Sequence, residues 1–239
     1  MGGGIMMDAA ITINTAQRLY WKGRYLQRAQ TMLKELLIGY DNVLDRDIEY
    51  GRHHYAKLDI DIDYTDVHDF LRQGIYGNHG SSIAAMIVMA RENAIETRNL
   101  LDERGFARLN LIHSRILSQC GNLVTPSMLE DFIDDIAFIL GIFSSELGRT
   151  KAYNFVRLGQ YVERFDLILR LYAGFDLVND ELDAMNTIAK RLNPNYQSSK
   201  IFTSDMDKAL NIINSVIDKV IKEKASVMTV SQKDAQTQG

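Results

Sequence analysis

The chain has 239 residues, 46% hydrophobic and 24% charged, with a net charge of −4. That is enough apolar material for one large core or two small ones, while the acidic balance argues against a nucleic-acid binder, which carries a basic footprint. A single cysteine, Cys120, allows no intrachain disulfide and suits a reducing compartment.

The start, Met1 to Asp8, has no basic n-region, and the first basic residue is Arg18. Met6 stands where a myristoylation signal needs Ser or Thr. The longest apolar runs, Ile83 to Ala90 and Ile136 to Phe143, fall far short of the roughly 18 residues that span a bilayer. These features predict a cytoplasmic protein without a membrane span.

In chain order, a long helix is expected from Thr15 to Asp45, capped by Asn14 or Thr15, with Leu19, Leu26, Leu33, Leu37 and Leu44 along its stripe. Gly51 to Tyr64 reads as irregular. A shorter helix spans Asp66 to Ile75. After Gly77-Asn78-His79-Gly80, Ser81 or Ser82 caps a third helix reaching Asp102, and a fourth runs from Phe106 to Ser118. Thr125-Pro126 starts a fifth, with threonine as N-cap and proline at the first helical position. It carries Met128, Phe132, Ile136, Ile139, Ile142 and Phe143 and stops near Gly148. The next helix covers Tyr153 to Val178. A shorter one then precedes the Asn193-Pro194-Asn195 turn, and a last amphipathic helix spans Ser204 to Lys224. Residues 229–239 read as a disordered polar tail. No segment offers paired strands. The expected fold is all-α: a single multi-helix bundle over residues 1–228, with two pseudo-repeated long motif helices.

Those two helices carry the most informative pattern. Tyr20-Trp21-Lys22-Gly23-Arg24-Tyr25-Leu26-Gln27-Arg28 and Val156-Arg157-Leu158-Gly159-Gln160-Tyr161-Val162-Glu163-Arg164 share Gly-x-Tyr-x-(Gln/Glu)-Arg at an offset of 136 residues. Such an offset is too long for a solenoid period and indicates a duplicated helix. Within each copy the glycine and the Gln/Glu are four apart and share one face. A glycine costs a helix interior about 1 kcal/mol relative to alanine. Its use at matched positions predicts that another backbone, or a ligand, approaches closely there.

The same residues resemble the bacterial alpha-E family, named for a helix motif of the form Tyr-Trp-x-Gly-Arg-Tyr-x-Glu-Arg-Ala, with a later Leu-Gly-x-Tyr-x-Glu-Arg helix. Ser82-Ile83-Ala84-Ala85, Ala90-Arg91-Glu92-Asn93-Ala94, Arg98 and Leu109-Asn110 fit the middle of that family, so the resemblance spans most of residues 14 to 178. Gln27 departs from the family glutamate, and the second copy has Gln160 where the first has Arg24. The resemblance implies association with circularly permuted ATP-grasp proteins, sometimes by fusion, and with transglutaminase-like proteins. ATP-grasp enzymes join a carboxylate to an amine through an acyl-phosphate. The implied role is a helical subunit, itself binding no nucleotide or other cofactor, that helps such a ligase with a peptide-like or amino-acid substrate. Homo-oligomerisation stays open.

The candidate site gathers Arg24, Gln27 and Arg28 opposite Glu163 and Arg164, with Arg91, Glu92 and Asn93 as further partners and Trp21, Tyr25 and Tyr161 as the aromatic members. One reading is a buried ionic network that fixes helix register. The other is a cleft whose arginines hold a carboxylate or phosphate. A stand-alone enzyme using Glu163 or Glu92 as general acid/base, or a purely structural interaction module, are the alternative functions.

Other constellations are weaker. None of the five histidines has an acid three residues earlier, and Glu49–His53 is a lone i,i+4 pair, so no metal site is expected. Asp59-Ile60-Asp61-Ile62-Asp63 lacks the glycine and terminal acid of a calcium loop, with Tyr64 and Phe70 at those positions. It reads as a solvated acidic loop, open to a basic partner. Gly74, Gly77 and Gly80 before Ser81 lack a Gly-Lys-Ser/Thr ending and read as ordinary capping.

Overall fold

A computed structural model describes residues 11–100, 102–145 and 150–221. Among the described residues the secondary structure is helical, without strands: α1 (Ile13–Asp45), α2 (Tyr50–Ala56), α3 (Val67–Tyr76), α4 (Ile83–Glu96), α5 (Glu103–Ser118), α6 (Pro126–Ser145), α7 (Lys151–Tyr172), α8 (Phe175–Leu192) and α9 (Met206–Asn214). A 3-10 turn, Arg98–Leu100, follows α4. After a turn at Ser215 the chain is helical again over 216–221.

The fold is organised around α1, whose 33 residues extend about 50 Å. It packs against α7, α4, α6, α3 and α2, while α7 turns its other sides to α8 and α9. This explains why α7 is buried almost all round, with Val156, Leu158, Val162 and Phe165 inaccessible to solvent. The buried stripe of α1 runs through Leu19, Leu26, Leu33 and Leu36. Leu37 is only partly buried and Leu44 is exposed, against expectation. A strict seven-residue spacing drifts around a straight helix, and the 3.6-residue period carries the stripe to Leu36 and Val43 instead.

The helix boundaries follow the capping chemistry. Thr12, rather than Asn14 or Thr15, caps α1, its hydroxyl accepting from the Thr15 N–H. Asp66 caps α3, Ser82 caps α4 and Asp102 caps α5, so α5 starts three residues before Phe106 and α4 ends short of Asp102. The stretch expected to be irregular contains α2, whose Gly51 N–H is held by the Tyr64 hydroxyl at 3.1 Å. Residues 60–64 lie outside any helix, with Ile62 and Tyr64 buried and Asp61 and Asp63 exposed.

The largest difference is the end of α7. The helix stops at Tyr172 rather than Val178, because Ala173 takes the left-handed conformation (φ 49°) and its N–H returns to Leu169. Gly174 then bonds Ile168 at 3.3 Å, completing a C-terminal cap with an alanine in the left-handed position that glycine usually takes. α8 follows at once and is longer than expected. α9 begins at Met206, capped by Asp205, rather than at Ser204. The expected helix ends near Gly148 and Lys224 and the tail 229–239 lie outside the described residues.

Candidate functional site

The two motif helices cross at their glycines. A Cβ placed on Gly23 would lie 2.0 Å from the Val156 carbonyl oxygen, and one on Gly159 would lie 2.0 Å from the Tyr20 carbonyl oxygen. The two contacts are equivalent under the 136-residue offset, so α1 and α7 meet backbone to backbone about an internal pseudo-two-fold axis. Only residues without a side chain permit that approach.

Beside the crossing lies a buried ion network. Glu163 is 2% exposed, and both of its oxygens are taken: Oε2 by Arg24 Nε at 2.5 Å and Oε1 by Arg28 Nε. One turn on, Asp166, equally buried, accepts from Arg170 Nε at 3.0 Å and from Asn214 Nδ2 at 2.8 Å. Asn214 also accepts from Arg24 Nη1 at 2.8 Å, and Arg28 Nη1 donates to Ser81 Oγ at 3.0 Å. Arg170 reaches out to Asp59 at 3.1 Å. Burial opposes the charge on Arg24, but Glu163 outweighs it and raises the guanidinium pKa. Burial pushes the neighbouring Tyr20 phenol up to about 12. Arginines and carboxylates balance, as buried charges require.

Other expected members lie elsewhere. Arg91 donates to Asn110 Oδ1 at 2.7 Å, tying α4 to α5. Glu92 is exposed, and Asn93 bonds the Met89 carbonyl of its own helix. Arg164 points outward to Glu181 at 2.6 Å. Tyr161 lies under the Arg157 guanidinium, 4.9 Å from the ring centroid. Gln27 donates to Thr31 at 3.4 Å. Its position explains the departure from glutamate. Under the pseudo-two-fold, Gln27 corresponds to Glu163, and the places of Arg24 and Arg28 are filled by Gln160 and Arg164. One cation is missing there and the other is engaged outward, so a carboxylate at position 27 would lack the pair that Glu163 has.

Trp21 and Tyr25 border the network on its outer side. With Arg18, Gln17, Met89 and Asn93 they line an open groove between α1 and α4. Trp21 is 42% exposed and Met89 41%, and Trp21 stacks on Arg24 with 5.0 Å from guanidinium carbon to ring centroid. Arg24 therefore links the outer aromatic face to the inner network.

Sequence reasoning missed Asp59, Asp166, Arg170 and Asn214 as network members. The signal for two of them was present: Glu163, Asp166 and Arg170 follow at spacings of three and four on one helix face. Also missed was a second buried cluster, in which Glu35 accepts from the Tyr172 hydroxyl and lies 3.8 Å from His54 Nε2. Burial lowers the His54 pKa to about 4. Glu49 pairs with Arg52 rather than with His53. Two acids of the 59–63 loop have internal partners, Asp59 with Arg170 and Asp63 with Arg52. Among the described residues no group of His, Cys, Asp and Glu could hold a metal ion, and no helix is long and apolar enough to cross a membrane.

Fold and site together define an all-α bundle built on a duplicated Gly/Glu-Arg helix crossing. A family model described as Alpha-E, a predicted alpha-helical domain with a conserved ER motif, matches residues 14–215. The chain belongs to the Alpha-E family. The second motif copy carries a Glu-Arg pair, Glu163-Arg164, and the first has Gln27-Arg28 in its place. No match was found among curated proteins or among solved structures.

Proposed function

We propose that this chain is a helical accessory subunit that works with a circularly permuted ATP-grasp protein in joining a carboxylate to an amine on a peptide-like or amino-acid substrate. The ligase association rests on the family resemblance. The supporting observation is the division of the first motif helix: Arg24 and Arg28 turn inward onto Glu163, whereas Trp21 and Tyr25 turn outward into the groove. An aromatic groove flanked by a cation is the kind of surface that carries binding energy in interfaces. The groove would thus meet the partner or its peptide-like substrate, while the motif charges hold the helices that present it. A general acid/base role for Glu163 draws less support, since proton transfer needs an oxygen that reaches substrate and both are engaged by arginines.

The test is co-expression with a circularly permuted ATP-grasp protein of the same genome, followed by purification and a ligase assay. A stable complex is expected, with its affinity reduced at least tenfold by Trp21→Ala with Tyr25→Ala, a loss of about 1.4 kcal/mol or more. Failure to form a complex, alongside full ligase activity from the ATP-grasp protein alone, would remove this role.

A further inference from the structure

Lys22 occupies the variable position of the first motif copy and is 3% exposed. Its ammonium would have three donors to satisfy. Among the described residues its Nζ finds one hydrogen-bond acceptor, Thr97 Oγ1 at 3.5 Å, and one ring face, Phe143, with its centroid at 5.4 Å. The Thr97 hydroxyl donates to the Asn93 carbonyl at 2.8 Å, so it offers Lys22 a lone pair. That single acceptor suits a neutral amine, and no carboxylate lies within ion-pair distance of Lys22 among the described residues. Burial without a counter-charge lowers its pKa from 10.5 to about 7.

The lysine is not sealed into the core. It lines a cavity between α1, α4, α5 and α6, whose apolar wall includes Leu109, Ile139 and Phe143. Arg98 and Asp102, both near the surface, line the same cavity. Asp102 is committed to Arg104, whose Nη2 lies 2.8 Å away, and to capping α5. Arg98 has no ion-pair partner among the described residues. The free space of ≈ 10 Å³ is about the room of one water, which restricts entry to very small groups. Neutral amines in apolar cavities are the arrangement by which lysines form Schiff bases.

We infer that Lys22 is a carbonyl-reactive amine whose cavity takes the aldehyde carbon of a small carboxylate-bearing aldehyde, with Arg98 meeting the carboxylate, and holds it as an imine. The Nζ lone pair adds to the carbonyl carbon while the C=O π pair moves to oxygen. Proton transfer from nitrogen to that oxygen gives the carbinolamine. Its hydroxyl then leaves with the remaining N–H proton as water, forming C=N. No electrons change hands, and water is the sole by-product.

Glyoxylate, the smallest such aldehyde, is the probe. The folded full chain is incubated near neutral pH with glyoxylate and cyanoborohydride, which reduces the imine to a stable secondary amine, and the modified lysines are mapped by peptide mass spectrometry. Lys22 is expected to label roughly tenfold faster than the average exposed lysine, because a far larger share of its amine is neutral than of theirs. Arg98→Gln, an exposed substitution, should slow labelling by glyoxylate but not by propanal, which lacks the carboxylate. Labelling spread over surface lysines with Lys22 untouched, while denaturant makes Lys22 reactive, would overturn the proposal. Equal loss with both aldehydes in Arg98→Gln would overturn the carboxylate assignment.

Discussion

Among the described glycines, Gly23 and Gly159 leave the least room for an added side chain. Each faces a backbone carbonyl that cannot rotate away, so an added methyl group must move a whole helix. Gly23→Ala gains helix propensity of about 1 kcal/mol, yet the clash should outweigh it and leave a net loss of at least 2 kcal/mol. Denaturant unfolding of the variant checks this, and a stabilised protein would show that the helices do not meet there. Lys22 presents the opposite case, a side chain that the folded state disfavours. With its pKa lowered from 10.5 to about 7, the unfolded chain binds the extra proton between those values. Stability should therefore rise with pH across that window, and below pH 7 the full penalty is present. Lys22→Met should stabilise the protein at neutral pH, by as much as ~4 kcal/mol, and flatten that rise. Melting temperatures measured at several pH values for both proteins are the check.

At the scale of elements, the pseudo-two-fold axis relates the halves of the crossing but not their charges. Glu163 has Arg24 and Arg28, whereas its counterpart Gln27 faces the positions of Gln160 and Arg164. Gln27→Glu should cost about 1–3 kcal/mol, because a half-buried carboxylate would lack a full set of donors. Gln160→Arg added to it should recover much of that loss. A double-mutant cycle reads the coupling directly, and additive effects would show that the two positions do not share a site. The crossing itself was legible in the sequence, since matched glycines at matched helical phase encode close approach, and the carboxylate four residues on must then be buried and paired. The end of α7 was not. It depends on Ala173 adopting a backbone conformation that glycine or asparagine usually supplies, and the helical apolar pattern continues across the break into Val178. Lys22 was illegible for another reason. Its burial comes from α6 bringing Phe143 over it, a tertiary contact on which local spacing is silent. Asp59 belongs with it, joined to Arg170 across 111 residues.

For the whole molecule, one long helix serves two purposes. Its inner face carries Gly23, Arg24 and Arg28 and fixes α7 in place. Its outer face carries Trp21 and Tyr25 and, with Met89 and Asn93 of α4, makes the groove. On the proposed function the motif charges would be architecture, and recognition would fall to the aromatic side. α9 is drawn into the same core through Asn214, which bridges Arg24 and Asp166, so the network joins α1, α7 and α9. Disrupting it should loosen the bundle as one unit rather than silence a local site. The most direct measurement is the unfolding free energy of Glu163→Gln, read alongside its binding to the proposed ATP-grasp partner under conditions where it remains folded. The expected result is a loss of about 3–5 kcal/mol from leaving Arg24 and Arg28 without their carboxylate, with partner affinity unchanged. Stability equal to that of the parent chain, together with lost binding or lost ligase activity, would contradict it and place Glu163 in the working site.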